Sequence, residues 1–360
     1  MKIGILTYHR SHNYGALLQA IALRKVLSDM GNEVFFIDYW PNYHRHMYAL
    51  FSVKWLINRP GRKSKLLYIK DCLLHCSVRK QRKQNFDLFI SHFILPYISS
   101  CDDSYDVIVH GSDQIWRKQP EIKVYNPIYF GVHSIKTQKK VSYAASMGLL
   151  PESDKDKNVI SEYVSNLDVI SVRELGLKDL IESMGYSCML HLDPTLLLTG
   201  NEWIKLFNLQ HVKEKGYVLY YHLQDNSFDI EQVRLFAKTK CMKLKILYSS
   251  AAKKSTDEEI TIADPLDFVE LICGADYVFT SSYHGLVFSL LFHKQVFAAF
   301  CKNSARAKSL LSQLSIEDRL LRPMSHIIPD VPDIDYKAVS TTLAEMRKNS
   351  YSYLYNISDL

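Results

Sequence analysis

The stretch Tyr277–Phe292, YVFTSSYHGLVFSLLF, decides how the chain folds. Tyr277-Val278-Phe279-Thr280 is short, aromatic and β-branched, the composition of a buried strand. Leu286–Phe292 is an apolar run without alternation, which suits a buried helix. Between them, Ser281, Ser282, Tyr283, His284 and Gly285 form a turn of small and polar residues around a titratable ring. A strand entering a helix through such a turn offers free backbone N–H groups and a positive dipole end at the carboxyl edge of a sheet. Open α/β folds hold anionic ligands there. His284 has two readings, a helix cap or a site residue, and the hydroxyls, phenol and glycine around it favour a site.

Around this stretch the chain alternates strand and helix. Upstream, Gly216–His222 predicts a strand, Phe228–Thr239 a helix, Leu244–Tyr248 a strand, and Asp264–Cys273 an amphipathic helix capped by Asp264 and opened by Pro265. Downstream, Val296–Phe300 predicts a strand and Ala305–Leu314 a helix. The first half repeats the pattern, with strand Lys2–Tyr8, helix Gly15–Met30 and strand Glu33–Tyr39, a unit that implies parallel pairing through a right-handed crossover. Further strands at Tyr105–His110, Lys140–Ala144, Val169–Val172 and Met189–Leu192 also end in small or polar residues. The expectation is an α/β protein of two Rossmann-like domains facing across a cleft. Residues 1–194 make the first, with a basic helical insert at about 43–97, and residues 195–330 the second. A helical tail, 331–360, packs back across both.

Several residues stand where those strands end. Arg173 is a planar fork for carboxylate or phosphate, or else half of an ion pair with Glu174 or a neighbouring acid. Asn13, Tyr14 and Gly15 open the first helix; Asn13 either faces a ligand or simply caps. Gly111-Ser112-Asp113 follows the third strand of the first half. The chain has no GxxxxGK[ST], HExxH, GxSxG or GxGxxG. Its DxD spacings (Asp154/Asp156, Asp333/Asp335) lie in polar stretches, so neither a metal nor a cofactor is expected.

An apolar fraction of 47% and a charged fraction of 23% over 360 residues are those of a globular chain. The net charge of +6 is unevenly placed. Between His44 and His92, eleven basic residues (Arg45, Lys54, Arg59, Arg62, Lys63, Lys65, Lys70, Arg79, Lys80, Arg82, Lys83) meet only Asp71 and Asp87; that segment carries +9 and the remainder −3. The plain reading of residues 45–83 is a solvated helical face. The sharper one is peripheral contact with anionic lipid or a lipid-linked diphosphate. No nucleic-acid module accompanies the patch, so nucleic acid is not an expected partner. Seven scattered cysteines without CxxC, no signal-peptide h-region and no membrane-length apolar run predict a cytoplasmic protein, at the inner face of the membrane on the sharper reading.

Six stretches in order, HNYGALLQA (12–20), HGSDQIW (110–116), SYAASMG (142–148), SVRE (171–174), LDPT (192–195) and SSYHG (281–285), resemble the polysaccharide pyruvyl transferases. The likeness runs to about Leu320 and leaves Pro41–Cys101 unmatched. It implies a GT-B-like architecture and transfer of pyruvate from phosphoenolpyruvate to two sugar hydroxyls as a ketal, in exopolysaccharide or capsule synthesis. It also implies that His284 is the general acid. Arg173 and one of Lys302 or Arg306 would be the donor's cations, with Ser282, Tyr283 and Gly285 framing the donor. Asn13, Tyr14, Gln19 and Asp113 would face the acceptor, which the resemblance allows to be a polyprenyl-diphosphate-linked oligosaccharide. The rivals are a GT-B glycosyltransferase using a nucleotide sugar, and a non-catalytic anion- or glycan-binding module.

Overall fold

Two five-stranded sheets, parallel throughout, organise the chain. The computed structural model describes residues 1–47, 50–119, 122–209, 212–249, 256, 258–325 and 327–357. In the first half, β1 (Lys2–Leu6), α1 (Tyr14–Asp29) and β2 (Glu33–Ile37) form the crossover unit. The insert follows as α2 (Asn42–Met47), α3 (Val53–Asn58), α4 (Gly61–Leu74) and α5 (Cys76–Phe93). Then come β3 (Ile98–Ser99), β4 (Ser104–His110), β5 (Lys136–Ser142), α6 (Asp154–Val164), β6 (Ile170–Val172), α7 (Leu175–Ser183) and β7 (Cys188–Leu190). Two short helices, α8 (Pro194–Leu197) and α9 (Gly200–Leu206), lead into the second half.

There β8 (Tyr217–His222), α10 (Ile230–Thr239), β9 (Lys243–Tyr248), β10 (Glu259–Ile260), α11 (Pro265–Gly274), β11 (Ala275–Thr280), α12 (Tyr283–Leu291), β12 (Gln295–Ala298) and α13 (Ala305–Gln313) follow, and α14 (Tyr336–Tyr355) ends the chain. The strand orders are β3-β2-β1-β4-β5 and β10-β9-β8-β11-β12. Each order reverses once, between β1 and β4 and between β8 and β11, and loops diverge there to leave a crevice at the carboxyl ends. Two Rossmann-like units thus bring two such crevices to one cleft, the GT-B arrangement.

The pair β6–β7 extends the first sheet beyond β5 through bridges Val141↔Val169 and Ala145↔Val172. Arg173, directly after β6, is thereby carried to the same edge. Helices α6 and α7 had no reading in the sequence. Ser153 caps α6, and Asp154 and Asp156 occupy its positive first turn, so this DxD is a helix start. Asp156 also accepts from Lys118 Nζ at 2.8 Å.

The α12 segment is buried along its whole length because it packs against β11 and β12, α11, α13 and the short α8. Each buried Leu, Val or Phe there stabilises the fold by roughly 1.5–3 kcal/mol. A single apolar cluster runs from Ile3 and α1 through Phe268 and Phe288 to Tyr353 and Ile357. The tail lies across it. Tyr336 OH donates to Lys294 O in the second half, while Tyr353 OH donates to Ser142 O at 2.7 Å in the first. Among the described residues no helix is long and apolar enough to cross a membrane.

Candidate active site

The cleft is a cavity of about 240 Å³ at the two crevices, lined from the first half by Tyr8, Asn13, His44, Asp113, Gln114 and Arg117 and from the second by Gln224, Ser281–His284, Asn303 and Arg306, among others. Its floor is the turn between β11 and α12. Ser281 Oγ accepts from the N–H groups of Leu223 (3.1 Å) and Gln224 (2.9 Å), tying the β8 and β11 loops together. Ser282 caps α12 by accepting from Gly285 N at 3.3 Å. A Cβ at Gly285 would lie 2.2 Å from Thr280 Oγ1, so only glycine lets the turn close so tightly.

His284 is buried in the first turn of α12, and its ring lies against the start of α1. A Cβ on Gly15 would fall 1.8 Å from His284 Nδ1, so the glycine is the imidazole's seat. On its other edge, Nε2 is 3.5 Å from Asp193 Oδ2 and has no hydrogen-bond partner among the described residues. Asp193, fully buried, is the cap of α8, its Oδ1 accepting from Thr195 N at 2.9 Å. The same Oδ2 accepts from Arg173 NH1. Burial alone would raise this carboxyl, but Arg173 first, then His284 and Thr195, hold it well below the usual carboxylate range.

Arg173 is buried and so disfavoured as a cation, yet Asp193, Tyr283 and Glu174 together raise its pKa. Its NH2 lies 3.8 Å from Asp113 Oδ1, while Nε and NH2 make no hydrogen bond among the described residues. Asp113 reaches this position with φ 72°, a left-handed conformation that Asp tolerates better than most residues. Next to Arg173 in the chain, Glu174 accepts from Ser146 Oγ at 2.5 Å and Gly148 N at 3.3 Å, with Oε2 unpartnered among the described residues.

Arg306 comes from α13, and its guanidinium carbon stands 5.0 Å from the Tyr283 ring centroid, the same distance as that of Arg173. Burial, and then the like charge of Arg173, lower its pKa; among the described residues it has no carboxylate partner and its Nε has no hydrogen bond. Two permanent cations with unmet donors therefore converge on one aromatic ring beside a histidine. Polyanions are held by such donors. Tyr283's phenol is raised by burial first and by Asp193 second, so the ring is neutral. A second cavity of about 100 Å³ lies behind Tyr283 and Arg306, walled by Met346, Asn349 and Ser350 of α14.

Three of the expected residues are not brought to the cleft. Lys302 is exposed, before α13 begins, and does not line the cleft; Arg306, in the first turn of α13, does. Gln19 is fully buried, its Nε2 donating to Thr7 Oγ1 and Ala16 O (both 2.9 Å) and its Oε1 accepting from Ser112 N at 3.1 Å. It staples α1 to the loops after β1 and β4. Tyr14 is also turned away: its OH donates to Ala263 O at 3.0 Å, and its ring stacks on Phe86 and Phe268. Asn13 both lines the cleft and caps α1, accepting from Ala16 N at 3.1 Å.

Sequence reasoning passed over Asp193, Tyr8, His44 and Arg117. Asp193 stood in the quoted LDPT stretch, where Asp-Pro signals a helix start, but nothing local shows which cation it meets. His44 is the first contribution of the insert to the cleft; burial, and then Arg117, push it down to about 4. It stands edge-on to Tyr8 at 4.3 Å between ring centroids.

The sequence profile of the polysaccharide pyruvyl transferases matches residues 13–299. The chain belongs to that family. Asn13, Asp113, Arg173, Asp193 and His284 lie within the matched span, and Arg306 just beyond it. No curated protein matches the chain. Among solved structures, it is similar to a UDP-GlcNAc 2-epimerase from Methanocaldococcus jannaschii, at 10% identity and TM-score 0.45, over 96% of this chain and 93% of that one. It is also similar to a putative UDP-N-acetylglucosamine 2-epimerase from Listeria monocytogenes, at 8% and 0.47, over 99% and 90%. A third is the glycosyltransferase SnogD from Streptomyces nogalater, at 11% and 0.41, over 100% and 98%. Likeness at this level carries no functional argument. The members of the polysaccharide pyruvyl transferase family share the name of a reaction, and the cleft must supply its chemistry.

Proposed function

We propose that this pyruvyl transferase takes phosphoenolpyruvate as donor and joins pyruvate to two hydroxyls of a sugar as a ketal. The observation that carries this reading is the pair Arg173 and Arg306 around Tyr283, next to His284. Phosphoenolpyruvate has a phosphate and a carboxylate close together, and two guanidinium forks and a helix start match both. Its C2 accepts a nucleophile only as the methylene carbon gains a proton. His284 supplies that proton as general acid. The first sugar hydroxyl bonds to C2 and its proton returns to the His284 imidazole; the C2–O bond to phosphate then breaks. A second hydroxyl closes the ring at C2, and its proton leaves with inorganic phosphate. Asp193 holds the imidazole's orientation while Ser282 and Gly285 keep the turn tight. Donor contacts come mainly from 195–330, with Arg173 reaching in from the first half. Residues 1–194 receive the acceptor through Asn13 and Asp113. We read that acceptor as an oligosaccharide on a polyprenyl diphosphate, met at the inner face of a membrane during surface-polysaccharide synthesis.

The test is incubation with phosphoenolpyruvate and a galactose-type glycoside, following phosphate release and the pyruvate mass added to the sugar. Phosphate and ketal in equal amounts support the reading. Sugar transfer from a nucleotide sugar, or binding of either substrate without turnover, would overturn it.

A further inference from the structure

On α4 the usual burial pattern is inverted. Of its fourteen residues only Tyr68 and Cys72 are buried, while Leu66, Leu67, Leu73 and Leu74 are 66%, 56%, 74% and 67% exposed. Lys63, Leu66, Leu67, Lys70 and Leu74 are spaced by three and four and lie along one outward stripe. At 1.5 Å per residue that stripe is about 16 Å long. Arg62, Lys63, Lys65 and Lys70 have no carboxylate partner among the described residues. Asp71, the acid on this helix, accepts instead from Arg79 and from His75 Nδ1 at 2.8 Å. The face therefore interleaves exposed leucines with lysines that have no carboxylate partner among the described residues.

The run Arg79–Lys83, equally basic in sequence, is of another kind. Arg82 NH1 donates to Tyr14 OH (3.0 Å) and Thr261 O (3.1 Å), bracing the two halves. Arg79 is held by Asp71 and Lys83 by Asp87. Those three charges are engaged within the chain, which leaves Lys80 as the exposed charge of the run without a partner among the described residues.

We infer that the outer face of α4 docks the protein on an anionic phospholipid bilayer. Four leucines on an exposed helix suit insertion between head groups, and the lysines interleaved among them reach phosphates while their stems stay apolar. A second copy fits poorly, since pairing this face with itself opposes Lys63 and Lys70 to their own equivalents. The inference rests on the exposure and charge of α4, not on the reaction. It adds to the proposed function the surface by which a lipid-carried acceptor is met.

Co-sedimentation of the full chain with phosphatidylcholine–phosphatidylglycerol vesicles, against phosphatidylcholine alone, tests it. Wild type sediments with the mixed vesicles at low salt. Leu66→Ser/Leu67→Ser and, separately, Lys63→Glu/Lys70→Glu each lower the partition by about tenfold or more. Lys215→Glu/Lys238→Glu, an equal charge change elsewhere, changes it far less. Turnover of a soluble glycoside stays unchanged in both α4 variants, so failure of the reaction and failure of docking are read separately. Indifference of wild type to the anionic lipid, or full binding by the leucine variant, overturns the inference. So does a dimer in solution that the leucine variant dissolves, which would make a second copy the occupant.

Discussion

Asp193 Oδ2 accepts from Arg173 and lies 3.5 Å from His284 Nε2, so one carboxylate oxygen faces both a guanidinium and an imidazole. Asp193→Asn keeps the shape and removes the charge. Arg173 then loses its nearest carboxylate and keeps only the weaker fields of Asp113 and Glu174, which costs about 3 kcal/mol, and kcat falls because the ring loses a charged neighbour. Thermal melting and kcat, measured well below the melting point, check both. Unchanged kcat would reduce Asp193 to a structural role.

His284→Ala removes the proposed acid and one neighbour of Asp193, while Arg173 and Thr195 still hold that carboxylate. Turnover falls by ~10²–10⁴, with phosphoenolpyruvate binding by calorimetry largely retained. Near wild-type turnover takes His284 out of the mechanism.

The two arginines separate by their partners. Arg306→Ala weakens the donor, each charge-assisted bond being worth about 1.5–3 kcal/mol, with little loss of stability because no carboxylate is stranded. Arg173→Ala loses both donor affinity and stability, since it leaves Asp193 alone. Arg173→Lys rescues poorly because a point charge lacks the fork. Lys302→Ala leaves donor affinity intact. Calorimetry and melting of all four decide; equal donor affinity in Arg306→Ala and wild type would refute the site.

Gly15→Ala places a methyl where the His284 ring stands. Overpacking of this kind costs roughly 1–3 kcal/mol, partly offset because alanine favours helix by about 0.5–1 kcal/mol. The ring must move, so kcat drops far more than stability. A variant with normal kcat would show that the ring tolerates displacement.

Acid should destabilise the fold in a defined window. Burial pushes His110 down to about 3, and His44 and His191 down to about 4, from an ordinary 6.5. For His110 the neighbouring His133 adds to this. Depressed histidines are neutral when folded, so the unfolded chain binds more protons below 6.5. Their contribution is complete above about pH 6.5 and is lost as pH falls toward about 4. Melting temperatures across that range check it, and a flat profile contradicts it.

The strand–turn–helix around His284 was legible because composition switches sharply at Ser281 and Gly285. Arg173 was legible as a strand-tip cation, but not its partner twenty residues away. Lys302 and Arg306 differ by about one turn, and only the packing of α13 tells which faces inward. Gln19 and Tyr14 were misplaced because α1 is buried nearly all round, so periodicity could not say which face met the cleft. The basic run read as one patch separates in space, Arg82 bracing the halves and α4 turned outward. Those distinctions depend on contacts between residues far apart in sequence, which no local pattern records.

The apolar cluster that joins both sheets and α14 runs beneath the cleft without a seam. Halves joined by a broad hydrophobic contact lack the free relative motion that is otherwise the default between domains. The cleft is then a standing slot, not a pair of jaws. Its width is set when the chain folds, and its arginines and histidine wait in place. On the proposed function, a donor entering it would give up its own freedom but ask little rearrangement of the protein, which is the condition under which a small polyanion is bound tightly.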